Sequence, residues 1–256
     1  MNTITTDNEQ LARQAIALLE LFALNNDDTE QRVMGICQRA LTPLGPVAAV
    51  CVSPRFVCLA RTTLDRLMAH SVSVVAAVNF PHGGVLIESV ASETRAAIVS
   101  GADEIDVVYP FRALLSGDLQ IGLDLVSACK AMCSNGIKLT VTLETGELRD
   151  PQLIRTACQT AIEAGANFIK TSTGKAVTHA TPQAARIMLE SIAEVGGQAG
   201  FKAAGGIRTL EDARLFMQLA RARFGAQWTC ADRVRLGASS LLDDLLVHLG
   251  VHQSAN

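Results

Sequence analysis

Short β-rich runs alternate with helical patterns along this chain, and that alternation constrains its fold more than any other feature. The β-rich runs fall at 47–52, 72–79, 104–109, 138–144, 167–171, 200–203 and 235–238. Helical patterns separate them at 29–40, 88–100, 119–134, 151–164, 181–193 and 209–222. Several open on a cap or proline signal: Asp150-Pro151, Thr181-Pro182, and Thr209 with Glu211 close behind, where a side-chain oxygen can accept from an unpaired first-turn N–H. Strands that alternate with helices pair in parallel, because each helix returns the chain to the same end of the sheet. An eighth run at 18–24, behind an N-terminal helix from about Asn8, completes eight units in 256 residues. The expectation is a TIM (β/α)8 barrel with an extra N-terminal helix, forming a single domain over residues 1–256.

Hydrophobic residues make up 49% of the chain, ample for a core, and with one Trp and one Tyr that core must be largely aliphatic. A net charge of −3 gives no basis for binding nucleic acid or an anionic membrane. No apolar run approaches the ~20 residues of a spanning helix. The opening Met1-Asn2-Thr3-Ile4-Thr5-Thr6-Asp7 has neither the basic nor the apolar segment of a signal peptide. Seven scattered cysteines read as reduced, buried thiols of a cytoplasmic protein.

The chain echoes itself. Ser100-Gly101-Ala102-Asp103-Glu104-Ile105-Asp106 resembles Ala164-Gly165-Ala166-Asn167-Phe168-Ile169-Lys170, an offset of 64 residues, or two strand–helix units. Asp106 and Lys170 are then equivalents on the fourth and sixth strands. Alternate strands feed one interior layer, so the carboxylate and the amine are expected to point inward together. The fifth strand alternates apolar and polar residues from Lys138 to Glu144, which turns its threonines toward the same interior.

A second lysine, Lys202, stands 32 residues after Lys170. Each lysine is expected at the end of a buried strand, just before a Gly-rich turn. Burial and a neighbouring ammonium both disfavour the charged form of an amine, which is how a nucleophilic lysine is made at neutral pH. Lys170 is the expected nucleophile, Lys202 its perturber and Asp106 the proton carrier. The alternative is a buried ion pair without chemistry. Three segments look like anion binders: Thr171-Ser172-Thr173-Gly174-Lys175, Gly205-Gly206 before Ile207-Arg208, and Gly237-Ala238-Ser239-Ser240 opening the last helix. Glycines let backbone N–H groups approach an oxyanion, and barrels often hold phosphate between the last two loops. His82 reads as a turn residue. No spacing indicates a metal, and no Rossmann or Walker motif is present.

The segment Phe168-Ile169-Lys170-Thr171-Ser172-Thr173-Gly174-Lys175 resembles the Schiff-base lysine motif of the deoxyribose-phosphate aldolase family. Gly200-Phe201-Lys202, Gly205-Gly206-Ile207-Arg208-Thr209, Asn79-Phe80-Pro81-His82-Gly83, Pro54-Arg55-Phe56 and Gly237-Ala238-Ser239-Ser240-Leu241-Leu242 are similar to the same family, over about residues 25–249. The resemblance implies a class I aldolase that needs no metal and no cofactor. It would cleave 2-deoxy-D-ribose 5-phosphate to acetaldehyde and D-glyceraldehyde 3-phosphate. It implies Lys170 as the Schiff-base amine, Asp106 and Lys202 as proton shuttles, and Gly174, Lys175, Gly205, Gly206, Ser239 and Ser240 as phosphate ligands. It also places Cys51 near the site. Aldehydes and phosphosugars are the expected partners, and a homodimer is entertained as the assembly.

Some positions depart from the family. Its Leu-x-Asp-x-Thr near the first strand is here Leu18-Leu19-Glu20-Leu21-Phe22, which would narrow and dry one wall. Ala203 stands in the loop after Lys202 where proline is common. The tail Gln253-Ser254-Ala255-Asn256 lacks a tyrosine found in some members, and Trp228-Thr229-Cys230-Ala231-Asp232 also diverges. Two other readings stay open: a related lysine aldolase with altered aldehyde preference, and a phosphate-binding barrel with impaired catalysis.

Overall fold

The computed structural model describes residues 2–134 and 136–251, with side chains from Asp7 onward. Eight strands close into one barrel: β1 (Leu19–Ala23), β2 (Ala49–Val52), β3 (Ser73–Val78), β4 (Glu104–Val108), β5 (Lys138–Thr142), β6 (Phe168–Lys170), β7 (Gly200–Ala204) and β8 (Val234–Gly237). They follow one another around the barrel in chain order, all parallel, and β8 closes on β1 through the pairs Leu19–Leu236 and Glu20–Gly237. This is the expected TIM barrel, and the run at 18–24 supplies β1.

The strands form as their alternation dictates. In β5, Leu139 and Val141 face outward into the core shared with the helices, while Thr140 and Thr142 face inward, all of them buried. Outside, the helix Pro151–Glu163 starts where the Asp150 carboxylate accepts from the Gln152 N–H, and it buries Ile154, Ala157, Cys158 and Ala161 at helical spacing. Thr181 caps Pro182–Glu194 in the same way. Thr209 heads Leu210–Phe224 in a capping box whose acidic partner is Asp212, one residue beyond the Glu211 that the sequence suggested.

Several expectations change. The N-terminal helix begins at Asn2 rather than near Asn8, and its stripe of Leu11, Ala12, Ala15, Ile16 and Leu18 is buried. A helix at Val57–Arg66 was not anticipated. It buries only Val57, Ala60 and Leu64 among polar neighbours, a weak apolar signal. β7 runs on through Ala204, so Lys202 sits mid-strand and Ala203 is a strand residue, not a loop residue. Cys37, Cys51, Cys129 and Cys158 are buried as expected, but Cys133 is half-buried and Cys58 and Cys230 are exposed. Trp228 stacks on Phe224 with ring centroids 4.2 Å apart. The tail 253–256 lies outside the described residues. Among those that are described, no helix is long and apolar enough to cross a membrane.

The barrel interior is divided. Toward β1–β3 it is lined by an apolar cluster of Leu24, Ala49, Cys51, Val75 and Ala77, with Phe22 and Phe80 packed against it. Toward β4–β8, and at Glu20 where β1 meets β8, it carries Glu20, Asp106, Thr140, Thr142, Lys170, Lys202 and Arg235, all buried. The charged half positions the site.

Candidate active site

Residues in register on neighbouring parallel strands point to the same side of the sheet. Thr142, Lys170, Lys202 and Arg235 form such a row across β5 to β8. All four are buried, which places both lysines inside the barrel. Asp106 reaches them from β4. Its Oδ2 accepts from Lys170 Nζ at 2.8 Å and from Lys202 Nζ at 3.1 Å, and its Oδ1 accepts from Thr142 Oγ1 at 2.6 Å. The echo between the fourth and sixth strands therefore pairs the two side chains it pointed to.

Glu20, on β1, completes the cluster. Its Oε1 accepts from Lys202 Nζ, and its Oε2 faces Arg235 Nη1 at 4.0 Å. Arg235 in turn donates to Glu104 at 3.1 Å. The buried charges thus form a chain from the lower barrel to the upper: Glu104, Arg235, Glu20, Lys202, Asp106, Lys170. Burial works to raise the Asp106 pKa, but the ammonium groups of Lys170 and Lys202 and the hydrogen bonds from Lys170 and Thr142 outweigh it and hold the carboxyl at about 2. Burial likewise works to lower the Lys202 pKa, and the charges of Asp106 and Glu20 overcome it and raise it. Lys202 is expected from the sequence to perturb Lys170 as a second ammonium. It is instead clasped by two carboxylates, and Asp106 stands between it and Lys170.

Glu20 and Phe22, the two departures from the family pattern, both stand against the lysines. The Phe22 ring lies with its centroid 4.9 Å from Lys170 Nζ and 6.0 Å from Lys202 Nζ, within range of a cation–π attraction. Cys51 is fully buried beside the cluster. Burial first, then the charges of Glu20 and Asp106, raise its thiol well above the ordinary value, so it stays protonated and weakly nucleophilic. The donor atoms of Glu20, Cys51 and Asp106 lie within 4.8 Å of one another. A metal ion there would confront the ammonium groups that already hold both carboxylates, so this set fits a cation poorly.

Above the cluster, a cleft of about 580 Å³ is lined by Gly174, Lys175, Gly205, Gly206, Ser239 and Ser240. All six residues expected to hold phosphate converge there. Gly205 and Gly206 both take positive φ, 85° and 78°, a conformation glycine adopts without steric cost. A Cβ at Gly205 would also stand 3.0 Å from the His179 ring. Asn25, Arg32, His179 and Arg208 line the cleft as well, and Asn25 accepts from Lys175 Nζ at 2.7 Å. Arg208 was legible from its place after Gly205-Gly206-Ile207. Arg32 and His179 arrive from a distant helix and loop, with no local motif. Glu144 likewise carries no local motif that marks it as a site residue. It is buried, burial raises its pKa, and its Oε2 accepts from the Thr173 N–H and hydroxyl at 3.2 and 2.5 Å, tying β5 to the loop after Lys170. His82 is exposed, and its carbonyl accepts from Arg112 at 2.6 Å, in keeping with a turn residue.

A parallel eight-stranded barrel with buried, inward lysines beneath a glycine-lined cleft at the strand C-termini is the equipment of a barrel enzyme acting on small anionic molecules. The model of the DeoC/LacD family aldolases matches residues 14–246, and the chain belongs to that family: it is an aldolase. A candidate deoxyribose-phosphate aldolase from Toxoplasma gondii ME49 superposes with a TM-score of 0.88 at 26% identity, covering 96% of each chain. The aldolase QR15 superposes at 0.77 with 27% identity, covering 92% of this chain and 96% of its own. A tetrameric deoxyribose phosphate aldolase from Aeropyrum pernix, 24% identical with a TM-score of 0.74 over 94% of this chain and 96% of its own, shares the fold. The resemblance read from the motifs is borne out at the level of the family.

Proposed function

We propose that this chain is a class I aldolase that reversibly cleaves 2-deoxy-D-ribose 5-phosphate to acetaldehyde and D-glyceraldehyde 3-phosphate through a Schiff base on Lys170. The observation that carries the reading is the position of Lys170: a buried amine 2.8 Å from the Asp106 carboxylate, close below a cleft lined by glycines, lysine and serines.

In this reading Lys170, once deprotonated, attacks the C1 carbonyl carbon. The new C–N bond forms as the carbonyl π pair moves to oxygen, which takes up a proton. Loss of water leaves an iminium. A base then removes the C3 hydroxyl proton, the C2–C3 bond breaks, and its electron pair flows toward the iminium nitrogen. Glyceraldehyde 3-phosphate departs and an enamine remains. Protonation at C2 and hydrolysis release acetaldehyde and restore the amine. Asp106 is ionised across the physiological range, so it can accept protons directly or through water. Lys202, kept protonated by its two carboxylates, supplies a fixed positive charge and a proton donor. Gly174, Lys175, Gly205, Gly206, Ser239 and Ser240 would hold the 5-phosphate.

Incubation with acetaldehyde, reduction with borohydride and peptide mapping test the reading. The expected adduct is on Lys170, and an adduct elsewhere, or none, overturns it. Cleavage of deoxyribose 5-phosphate should exceed that of unphosphorylated deoxyribose by at least about tenfold in kcat/KM, as charge-assisted bonds to a phosphate imply. Equal efficiency would remove the phosphate from the reading.

A further inference from the structure

Glu144 is 2% exposed, and both hydrogen bonds to its carboxylate come from Thr173 rather than from a cation. Its Oε1 is shut off from solvent and makes no hydrogen bond. Burying a carboxylate in this way is costly. The residue also stands just past β5 with φ 57° and ψ 56°, a left-handed conformation that a side chain adopts only against steric resistance. Its neighbours hold it there: the Leu143 N–H donates to the Lys170 carbonyl at 2.9 Å and the Thr145 N–H to the Thr171 carbonyl at 2.8 Å. From this anchored point Oε2 accepts from the N–H and the hydroxyl of Thr173, and Thr173 Oγ1 accepts in turn from the Lys175 N–H at 3.1 Å. Gly174, between them, has φ 77°. One carboxylate oxygen thus fixes the turn Thr173-Gly174-Lys175. All three of those residues line the anion cleft, and Glu144 itself does not. A negative charge near an anion site repels the ligand, so what Glu144 contributes is an acceptor, not a charge.

We propose that Glu144 is a positioning residue for the anion cleft: through Thr173 it holds the turn that presents Gly174 and Lys175 to the sugar phosphate. This role rests on the reading of the cleft as the phosphate site. Without the acceptor, the N–H and hydroxyl of Thr173 lose their partner, and the hydroxyl no longer has a fixed direction in which to receive the Lys175 N–H. The bond from Lys170 to Asp106 and the backbone bonds between β5 and β6 do not pass through that carboxylate. The loss therefore falls on phosphate binding, which is common to the ground and transition states, and such a loss raises KM with kcat little changed.

The test uses the full chain with E144A, E144Q and T173V. Cleavage of deoxyribose 5-phosphate and of unphosphorylated deoxyribose is measured for each, and inorganic phosphate is titrated as a competitive inhibitor. E144A should raise the KM for the phosphorylated sugar and the Ki of phosphate by about tenfold each, as loss of bonds to a charged acceptor implies. Its kcat on that sugar should stay within about threefold of the parent's, so its preference for the phosphorylated over the unphosphorylated sugar should drop about tenfold. E144Q should bring KM and Ki back to within about threefold of the parent, because an amide oxygen can accept both Thr173 bonds. T173V, which exchanges the hydroxyl for a methyl group, should raise the same two constants by roughly three- to tenfold. A fall in kcat with KM unmoved, equal losses on both sugars, or an E144Q chain as impaired as E144A would overturn the positioning role and leave the phosphate cleft standing. If E144A does not fold, T173V decides, and a KM equal to the parent's sinks the role. A parent that cleaves both sugars equally well removes the phosphate reading, and the role of Glu144 goes with it.

Discussion

Asp106 is the residue on which the buried charges turn. Among the described residues it alone is bonded to both lysines, and they hold it ionised at about 2 against an ordinary 3.8. A carboxyl whose folded pKa is depressed contributes stability that is complete above its unfolded value and lost as pH falls through the folded one. For Asp106 the shift corresponds to about 2 kcal/mol, present above about pH 4 and lost toward pH 2. Lys202 has the opposite sign. Its raised pKa contributes stability that is whole below 10.5 and lost only as pH climbs through the higher folded value, so it leaves the acid limb untouched. Asp106→Asn should therefore do three things. It should lower activity by about 10²- to 10⁴-fold, as loss of a positioned proton carrier does. It should cost about 3–5 kcal/mol near neutral pH by taking from Lys170 its carboxylate partner and leaving Lys202 to Glu20 alone. It should also flatten the fall of the urea midpoint between about pH 4 and pH 2 relative to the parent. A variant whose acid limb matches the parent's would show that Asp106 is not ionised in the fold.

At the scale of elements, close approach decides more than propensity does. Gly122 lies in the first turn of the helix Gln120–Met132, where alanine ought to gain up to about 1 kcal/mol. A Cβ there would sit 2.3 Å from Tyr109 Cζ, and Tyr109 is fully buried at the end of β4, so the ring has nowhere to retreat. Overpacking of this kind costs about 1–3 kcal/mol, which outweighs the propensity gain. Gly122→Ala should lower the urea midpoint with an unchanged m-value, and a rise would show that the ring has room to give. The same distinction separates what could be read in the sequence from what could not. Strand alternation and cap residues are local signals, so the eight strands and most of the helices were legible to within a few residues. The pairing of Asp106 with Lys170 was legible because barrel strands repeat. The bond from Glu20 to Lys202 spans 182 residues and joins β1 to β7, which no local pattern records. The place of the Phe22 ring over Lys170 depends likewise on how β8 closes against β1.

For the molecule as a whole, an anion bound in the glycine-lined cleft would couple binding to stability. Its walls come from the ends of the barrel sequence: Asn25 and Arg32 follow β1, Gly174 and Lys175 follow β6, Gly205 to Arg208 follow β7, and Ser239 and Ser240 follow β8. An anion seated there would bridge the seam where β8 meets β1, and unfolding would have to release it. Inorganic phosphate at a hundredfold over its dissociation constant should then add about 2.7 kcal/mol to the stability. For a chain of this size that amounts to a rise of roughly 5–10 °C in Tm. Lys175→Glu removes a cation from the cleft and puts a carboxylate in its place, so phosphate should no longer shift its Tm, while borohydride should still trap acetaldehyde on Lys170 below. Scanning calorimetry with and without phosphate reads the first, and peptide mapping reads the second. A parent Tm indifferent to phosphate would mean that the cleft is only a set of turns. A Lys175→Glu chain that also loses the Lys170 adduct would mean that cleft and lysine are not separable parts of the site.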